Sequence, residues 1–208
     1  MGGVFCVANL RGGNEFGEAW HQGGCLGNKQ NVYDDFIAAA DWLVESGRAS
    51  RDKLAIQGGS NGGLLTAVVA NQRPDLCRAG ISSVPLTDML RFHRFQFAKS
   101  WTKEYGDPDV KAEFDWIRPY SPYHNAKPGK RYPAMFVTAG LHDGRVNPFH
   151  ARKMAALWQA QVAPDRPILL WIDRESGHGS SSLEHYKKDL LAEFTFLFLE
   201  LGATPKSN

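Results

Sequence analysis

One serine stands among four glycines in Gly58-Gly59-Ser60-Asn61-Gly62-Gly63, between an apolar run beginning at Leu54 and a helical pattern. A strand that reverses into a helix within about two residues strains its central residue and crowds the neighbouring backbones, so side chains at Gly58 and Gly62 are expected to collide. The spacing is that of a G-x-S-x-G nucleophile elbow, which lifts the Ser60 hydroxyl above the sheet. The helix N-terminus aims the Asn61 amide at the place where an oxyanion would form. A phosphate-binding loop would need GxxxxGK followed by Ser or Thr, and no lysine follows here.

A hydroxyl at its free pKa is a weak nucleophile, so the elbow calls for a histidine base and an acid, in the chain order Ser, Asp, His. The acid is expected just past a later strand. In AMFVTAGLHDGRVNP the run Ala134 to Ala139 ends in Gly140, and Asp143 follows in a turn. Asp107, Asp109, Asp115 and Asp165 read instead as solvated caps or turn residues. The histidine is expected between the last strand and the last helix, where Gly177 and Gly179 flank His178. His185 reads as a surface residue of that helix, and His142 adjoins the acid on the wrong loop. In the resulting arrangement Ser60 attacks, His178 shuttles the proton, and Asp143 fixes the tautomer and stabilises the imidazolium.

The elements that must position these residues are short apolar runs alternating with helical patterns. Runs at Val4–Ala8 and from Leu54, Ala79, Ala134 and Ile168 read as buried parallel strands. Val32, Phe36, Ala40, Leu43 and Val44 fall on one face of a helix that Asn31 caps and Gly47 stops. A longer pattern from Leu183 to Leu201 ends before Gly202, a fitting C-terminal cap. The alternation implies an α/β fold, a mostly parallel sheet with helices on both faces. The aromatic, Pro- and His-rich segment from about Leu86 to Tyr132 reads as helical excursions over the sheet.

Length and composition agree. At 208 residues and 43% hydrophobic content the chain fits one domain with a sizeable core. With 24 Lys and Arg against 22 Asp and Glu, and no basic run, nothing reads as a nucleic-acid footprint. No apolar run is long enough to span a bilayer, and no leader is visible. Three cysteines, Cys6, Cys25 and Cys77, without CxxC spacing read as packed, reduced thiols, neither metal ligands nor redox pairs, and imply a cytoplasmic location.

The segments GGSNGGLL, HDGRV, SGHG, NLRGGNEFGEAWH and NQRPDL together resemble the prolyl oligopeptidase (prolyl endopeptidase) family, the proline-specific branch of the serine oligopeptidases in the α/β-hydrolase superfamily. The likeness runs from Met1 to about Leu201, and the Asn after the serine is its proline-specific mark. The resemblance implies a Ser60, Asp143, His178 triad, with the Asn61 amide as one of two oxyanion donors. It implies that Arg145 binds a substrate carbonyl next to the proline, that Trp101 stacks on the proline ring, that Tyr105 forms another wall, and that Val84, Leu86 and Val146 line the pocket. A flat indole against a rigid pyrrolidine buries area at little entropic cost. No cofactor and no metal are implied, and the expected substrates are short proline-containing peptides.

Family members are much longer, carrying a β-propeller over the site, and their catalytic domain begins before the position matching Met1. Residues 1–208 are therefore expected to be a partial, N-terminally incomplete α/β-hydrolase catalytic domain without the propeller. The second oxyanion donor, an aromatic of the proline pocket and a strand between those at Val4 and Leu54 are expected to lie outside it. Gly144 stands where the family commonly has a second Asp. Two other readings stay open: an inactive or partner-dependent piece of such an enzyme, and a generic esterase on the same fold.

Overall fold

The computed structural model describes residues 2–161 and 165–204. Among these residues, four parallel strands form one sheet in the order β1 (Ala55–Gly59), β2 (Ala79–Ser83), β3 (Ala134–Gly140), β4 (Ile168–Asp173). Helices connect or flank them: α1 (Gln30–Glu45), α2 (Asn61–Gln72), α3 (Phe149–Gln159) and α4 (Leu183–Leu201). The ladder pairs Gly59 with Ser83, Ser83 with Thr138, and Gly140 with Asp173. All four strands consequently end along one edge of the sheet, where the loops after β1, β3 and β4 emerge side by side.

Alternation along β3 sorts its side chains between two faces. Met135, Val137 and Ala139 pack with Ala67 and Ala70 of α2 and with Met154, Ala155 and Trp158 of α3. Ala134 and Phe136 pack on the opposite face with Phe196 of α4, the two phenyl rings stacked at 5.4 Å. The helix ends follow local chemistry. Gly202 takes the left-handed conformation (φ 60°) that closes α4, and Ser182 caps its start by accepting from the His185 amide. Gly47, at φ 71°, ends α1 by donating to Val44 O at 3.0 Å.

Four sequence expectations are corrected. The run Val4–Ala8 is not a strand: Val4, Phe5 and Val7 are 87%, 82% and 78% exposed. A strand exists only by pairing, and β1 pairs with β2 alone, so among the described residues no strand lies beside this run to receive it. Its Cys6 is exposed, not packed, whereas Cys25 and Cys77 are buried. The β4 run is not buried on both sides, since Leu169, Leu170 and Trp171 are exposed on an edge strand. Asn31 is not the cap of α1, which starts one residue earlier; its amide side chain donates instead to Gly23 O at 2.8 Å.

The expected excursion over the sheet is a series of short helical turns between Phe92 and Asn125. Its first strap is tied to α3. His150 Nδ1 accepts from the amides of Thr87 (3.2 Å) and Asp88 (3.0 Å), and Thr87 Oγ1 donates to His150 O at 2.7 Å. Burial pushes the His150 imidazole down to about 3, because a proton on Nδ1 would be desolvated and would abolish both bonds. In the unfolded chain this histidine titrates near its ordinary value, so the unfolded state binds the extra proton first. Its contribution is fully present above about pH 6.5 and is lost as the pH falls toward 3. Urea midpoints measured from pH 7 to pH 4.5 should therefore fall more steeply for the wild-type chain than for His150→Gln; parallel slopes would show that His150 is not held neutral.

Candidate active site

The elbow occupies the single residue between β1 and α2. Ser60 sits at φ 58° and ψ −115°, outside the regions that L-residues adopt without strain, and its amide donates to Ser83 O at 2.8 Å. A methyl group at Gly58 would come within 2.3 Å of Gly62 O, and one at Gly63 within 2.7 Å of Ser83 O and 2.9 Å of Pro85 Cα. Gly62 corrects the sequence expectation, because nothing lies within 4 Å of where its side chain would point. The backbone of Gly62, its carbonyl nearest and its α-carbon at 2.9 Å, crowds Gly58, while the direction in which a Gly62 side chain would point is open. Asn61 begins α2, so its amide has no intrahelical acceptor.

Asp143 lies in the turn after β3, with its carboxylate buried. One oxygen, Oδ1, accepts from the amides of Arg145 and Val146, both at 2.8 Å, and Oδ2 lies 2.8 Å from His178 Nδ1. Burial alone would raise this carboxyl, but the bonds from His178 and the Val146 and Arg145 amides outweigh it and hold it below the usual carboxylate range. An ionised carboxylate only accepts, so the hydrogen of the neutral imidazole belongs on Nδ1. That leaves Nε2, 3.1 Å from Ser60 Oγ, free to accept the hydroxyl proton. Ser60, His178 and Asp143 thus come together from three loops far apart in sequence.

The histidine loop is seated by contacts that sequence reasoning missed. A methyl group at Gly140 would lie 2.0 Å from Gly177 O, so the end of β3 and the histidine loop touch backbone to backbone. Asp173, at the end of β4, accepts from the Glu175 amide (2.8 Å), Ser176 Oγ (2.5 Å) and His185 Nδ1 (2.9 Å). Ser180 Oγ donates to Asp189 Oδ2 at 2.6 Å. His185 is therefore a half-buried tether between α4 and β4 and not a plain surface residue. Gln96 steadies the acid loop by donating to Asp143 O at 3.1 Å. Only the local glycine spacing of the loops was available to flag these residues; their partners lie on other elements.

The residues proposed for substrate binding fall into two groups. Leu86, Tyr105 and Val146 are buried in one apolar cluster, against which Trp101 packs half-buried with Phe97 edge-on to its ring at 5.3 Å. The Tyr105 hydroxyl donates to Asn61 Oδ1 at 2.9 Å, tying this cluster to the elbow. Val84 is half-buried with φ 42°, unusual for a β-branched residue, and its amide donates to Thr138 O at 2.8 Å. Arg145 is exposed. Among the described residues, two groups have metal-ligand atoms in mutual reach, His21 with Cys25 and Glu104, and His93 with Asp107 and Asp109. Neither includes Ser60, Asp143 or His178.

The model of the prolyl oligopeptidase family matches residues 1–204. The chain belongs to that family. It is 44% identical to a prolyl oligopeptidase of Omphalotus olearius over 97% of this chain and 28% of that protein, and 44% identical to a prolyl endopeptidase of Dictyostelium discoideum over 86% and 24%. Its fold superposes on a post-proline cleaving enzyme from Rickettsia typhi with a TM-score of 0.91 at 35% identity, covering 94% of this chain and 28% of that one. It also superposes on prolyl oligopeptidase B from Galerina marginata bound to a 35mer hydrolysis and macrocyclization substrate, with a TM-score of 0.90 at 40% identity over 95% and 28%. The chain spans about a quarter of the length of these prolyl oligopeptidase relatives, 24–28%, and the part it spans has their α/β-hydrolase architecture of parallel strands and flanking helices.

The Gly140 contact can be tested without measuring turnover. In Gly140→Ala the added methyl meets two backbone carbonyls, those of Gly177 and Ser176, and neither can yield as a flexible side chain would. The variant should retain its far-ultraviolet circular dichroism while losing the low-field Nδ1 proton resonance expected of a histidine bound to a buried carboxylate. An unchanged resonance would show that the loops do not depend on this approach.

Proposed function

We propose that this chain carries the acyl-transfer machinery of a serine peptidase that cuts short peptides after proline, and that it works as part of a larger catalytic domain. The observation that carries the reading is the line Asp143–His178–Ser60, bonded at 2.8 and 3.1 Å, with its serine on a strained elbow at a helix N-terminus. In this mechanism Ser60 Oγ attacks the proline carbonyl carbon as its proton passes to His178 Nε2. The oxyanion of the tetrahedral intermediate faces the Asn61 amide. Collapse expels the peptide amine, which takes the proton from His178, and leaves an ester on Ser60. Water then attacks the ester with His178 as base, releasing the acid and restoring the serine. Asp143 stays ionised throughout, orienting the ring and stabilising its charged form.

Specificity follows from the residues beside this line. Arg145 is exposed and its guanidinium has no carboxylate partner among the described residues, so it is available to a substrate carbonyl. Trp101 offers a ring braced by Phe97 to the proline. The three cysteines are unpaired, which supports a reducing, cytoplasmic setting. The exposed side chains of Val4, Phe5 and Val7, and an edge of β1 that is unpaired among the described residues, favour completion of the sheet by a further strand, and a propeller over the site would restrict access to short peptides. A second oxyanion donor would come from the same additional part.

The tests separate these claims. In the chain joined to the N-terminal part of a family relative, Ser60→Ala should lower turnover by about 10³-fold or more with peptide binding nearly unchanged. Near-normal turnover would remove Ser60 from the mechanism. Trp101→Ala should raise KM for peptides with proline at the cleaved bond, at about 1–3 kcal/mol in transition-state binding. Arg145→Ala should weaken peptides while sparing a small ester, and equal losses on both would count against the role proposed for the arginine. Alone, the 208-residue chain should turn over a Gly-Pro reporter about 10²–10³-fold more slowly than the extended form, the usual effect of one missing oxyanion donor. Comparable rates would show that the chain is sufficient.

A further inference from the structure

A cluster distinct from Ser60, Asp143 and His178 forms where the short helix Glu18–Gln22 meets the helical turn Thr102–Tyr105. His21 Nε2 lies 3.3 Å from Cys25 Sγ and 3.3 Å from Glu104 Oε2, and Cys25 Sγ lies 3.2 Å from that same oxygen. The three atoms make a nearly equilateral triangle. Zinc bonded tetrahedrally to N, O and S at about 2.0–2.3 Å holds neighbouring ligand atoms about 3.3–3.7 Å apart. One face of such a tetrahedron is thus already built to within a few tenths of an ångström.

Two of the three ligands are also held from behind. His21 Nδ1 faces Glu18 Oε1 at 3.6 Å, an oxygen that also accepts from Gln22 at 2.6 Å. The other oxygen of Glu104 accepts from the buried Lys29 ammonium at 2.6 Å, so Oε2 is the one turned toward the cluster. A carboxylate behind the imidazole and an ammonium behind the carboxylate are the outer contacts that orient metal ligands. The His21 and Glu104 side chains keep 29% and 26% of their surface open, which leaves solvent access for a cation and a fourth, water ligand. The other cluster is less suitable: both oxygens of Asp109 are already engaged, by His93 and Arg94, and Asp107 Oδ1 accepts the Asp109 amide.

We propose that His21, Cys25 and Glu104 form a site for Zn²⁺ or a similarly thiophilic divalent cation, with three protein ligands and one solvent position. On binding, Cys25 Sγ loses its proton to solvent and donates to the metal alongside His21 Nε2 and Glu104 Oε2. Thiolate and imidazole select zinc-like ions over magnesium and calcium. The site touches the candidate active site through the chain itself, since Glu104 precedes Tyr105, whose hydroxyl holds Asn61. A bound cation would pin that turn.

The experiment is titration of the 208-residue chain with Co²⁺ alone, read by thiolate-to-cobalt charge-transfer absorption, followed by displacement with Zn²⁺. One equivalent of Co²⁺ should produce the band and Zn²⁺ should remove it. Cys25→Ser should abolish the band, and His21→Gln, on a partly exposed residue, should weaken cobalt binding at least about tenfold. Cys6→Ser should leave the band unchanged. Absence of the band in the wild-type chain, or its survival in Cys25→Ser, overturns the proposal. Should Cys25→Ser not fold, His21→Gln decides: unchanged cobalt affinity there overturns it as well.

Discussion

The whole site depends on a place where no side chain fits. Gly140 closes β3 and Gly177 lies in the histidine loop, and their backbones approach so nearly that even a methyl group would collide. Asp143 follows three residues after the first, and His178 is the next residue after the second. The Asp143–His178 bond is therefore set by backbone packing, with the side chains needing little freedom to find each other. The parallel ladder delivers the other half of the arrangement. Because Gly59 is in register with Ser83, and Ser83 with Thr138, the elbow emerges beside the same edge of the sheet.

Electrostatics then assigns the protons. A buried carboxylate is disfavoured in its charged form, yet three donors converge on Asp143 and keep it ionised. Once it is ionised, the histidine tautomer has no alternative, and Nε2 must be the acceptor that faces Ser60. The loop around His178 is fixed by a second carboxylate, Asp173, which gathers Ser176, the Glu175 amide and His185. The bonds to Ser176 and His185, with the backbone bond of Glu175, bring Asp173 down to about 2 despite the opposing pull of desolvation.

Much of this was legible in the sequence because the informative signals are local. A serine among glycines, an aspartate just past an apolar run and a histidine between glycines each mark a turn, and turn chemistry is written in neighbouring residues. The α4 boundaries at Ser182 and Gly202 were readable for the same reason. What failed were features that depend on a distant partner and that no local turn announces. Val4–Ala8 has the composition of a buried strand, but composition does not supply a ladder. Gly62 and Gly63 look equivalent in sequence, and only the position of Ser83 and Pro85 distinguishes them. His185 looked like a surface residue until Asp173 and Glu175 were seen beside it. Cys25 lacks a CxxC partner, yet Glu104, seventy-nine positions away, completes its surroundings.

The backbone of Ser60 sets stability against reactivity at one position. At φ 58° a glycine would sit with less strain than any residue that bears a side chain, so selection for a firmer fold would favour losing the hydroxyl. Under the proposed reaction, the hydroxyl is what the strained backbone is kept for. On that reading the elbow is the place where one substitution, serine to glycine, would relax the backbone and silence the reaction together.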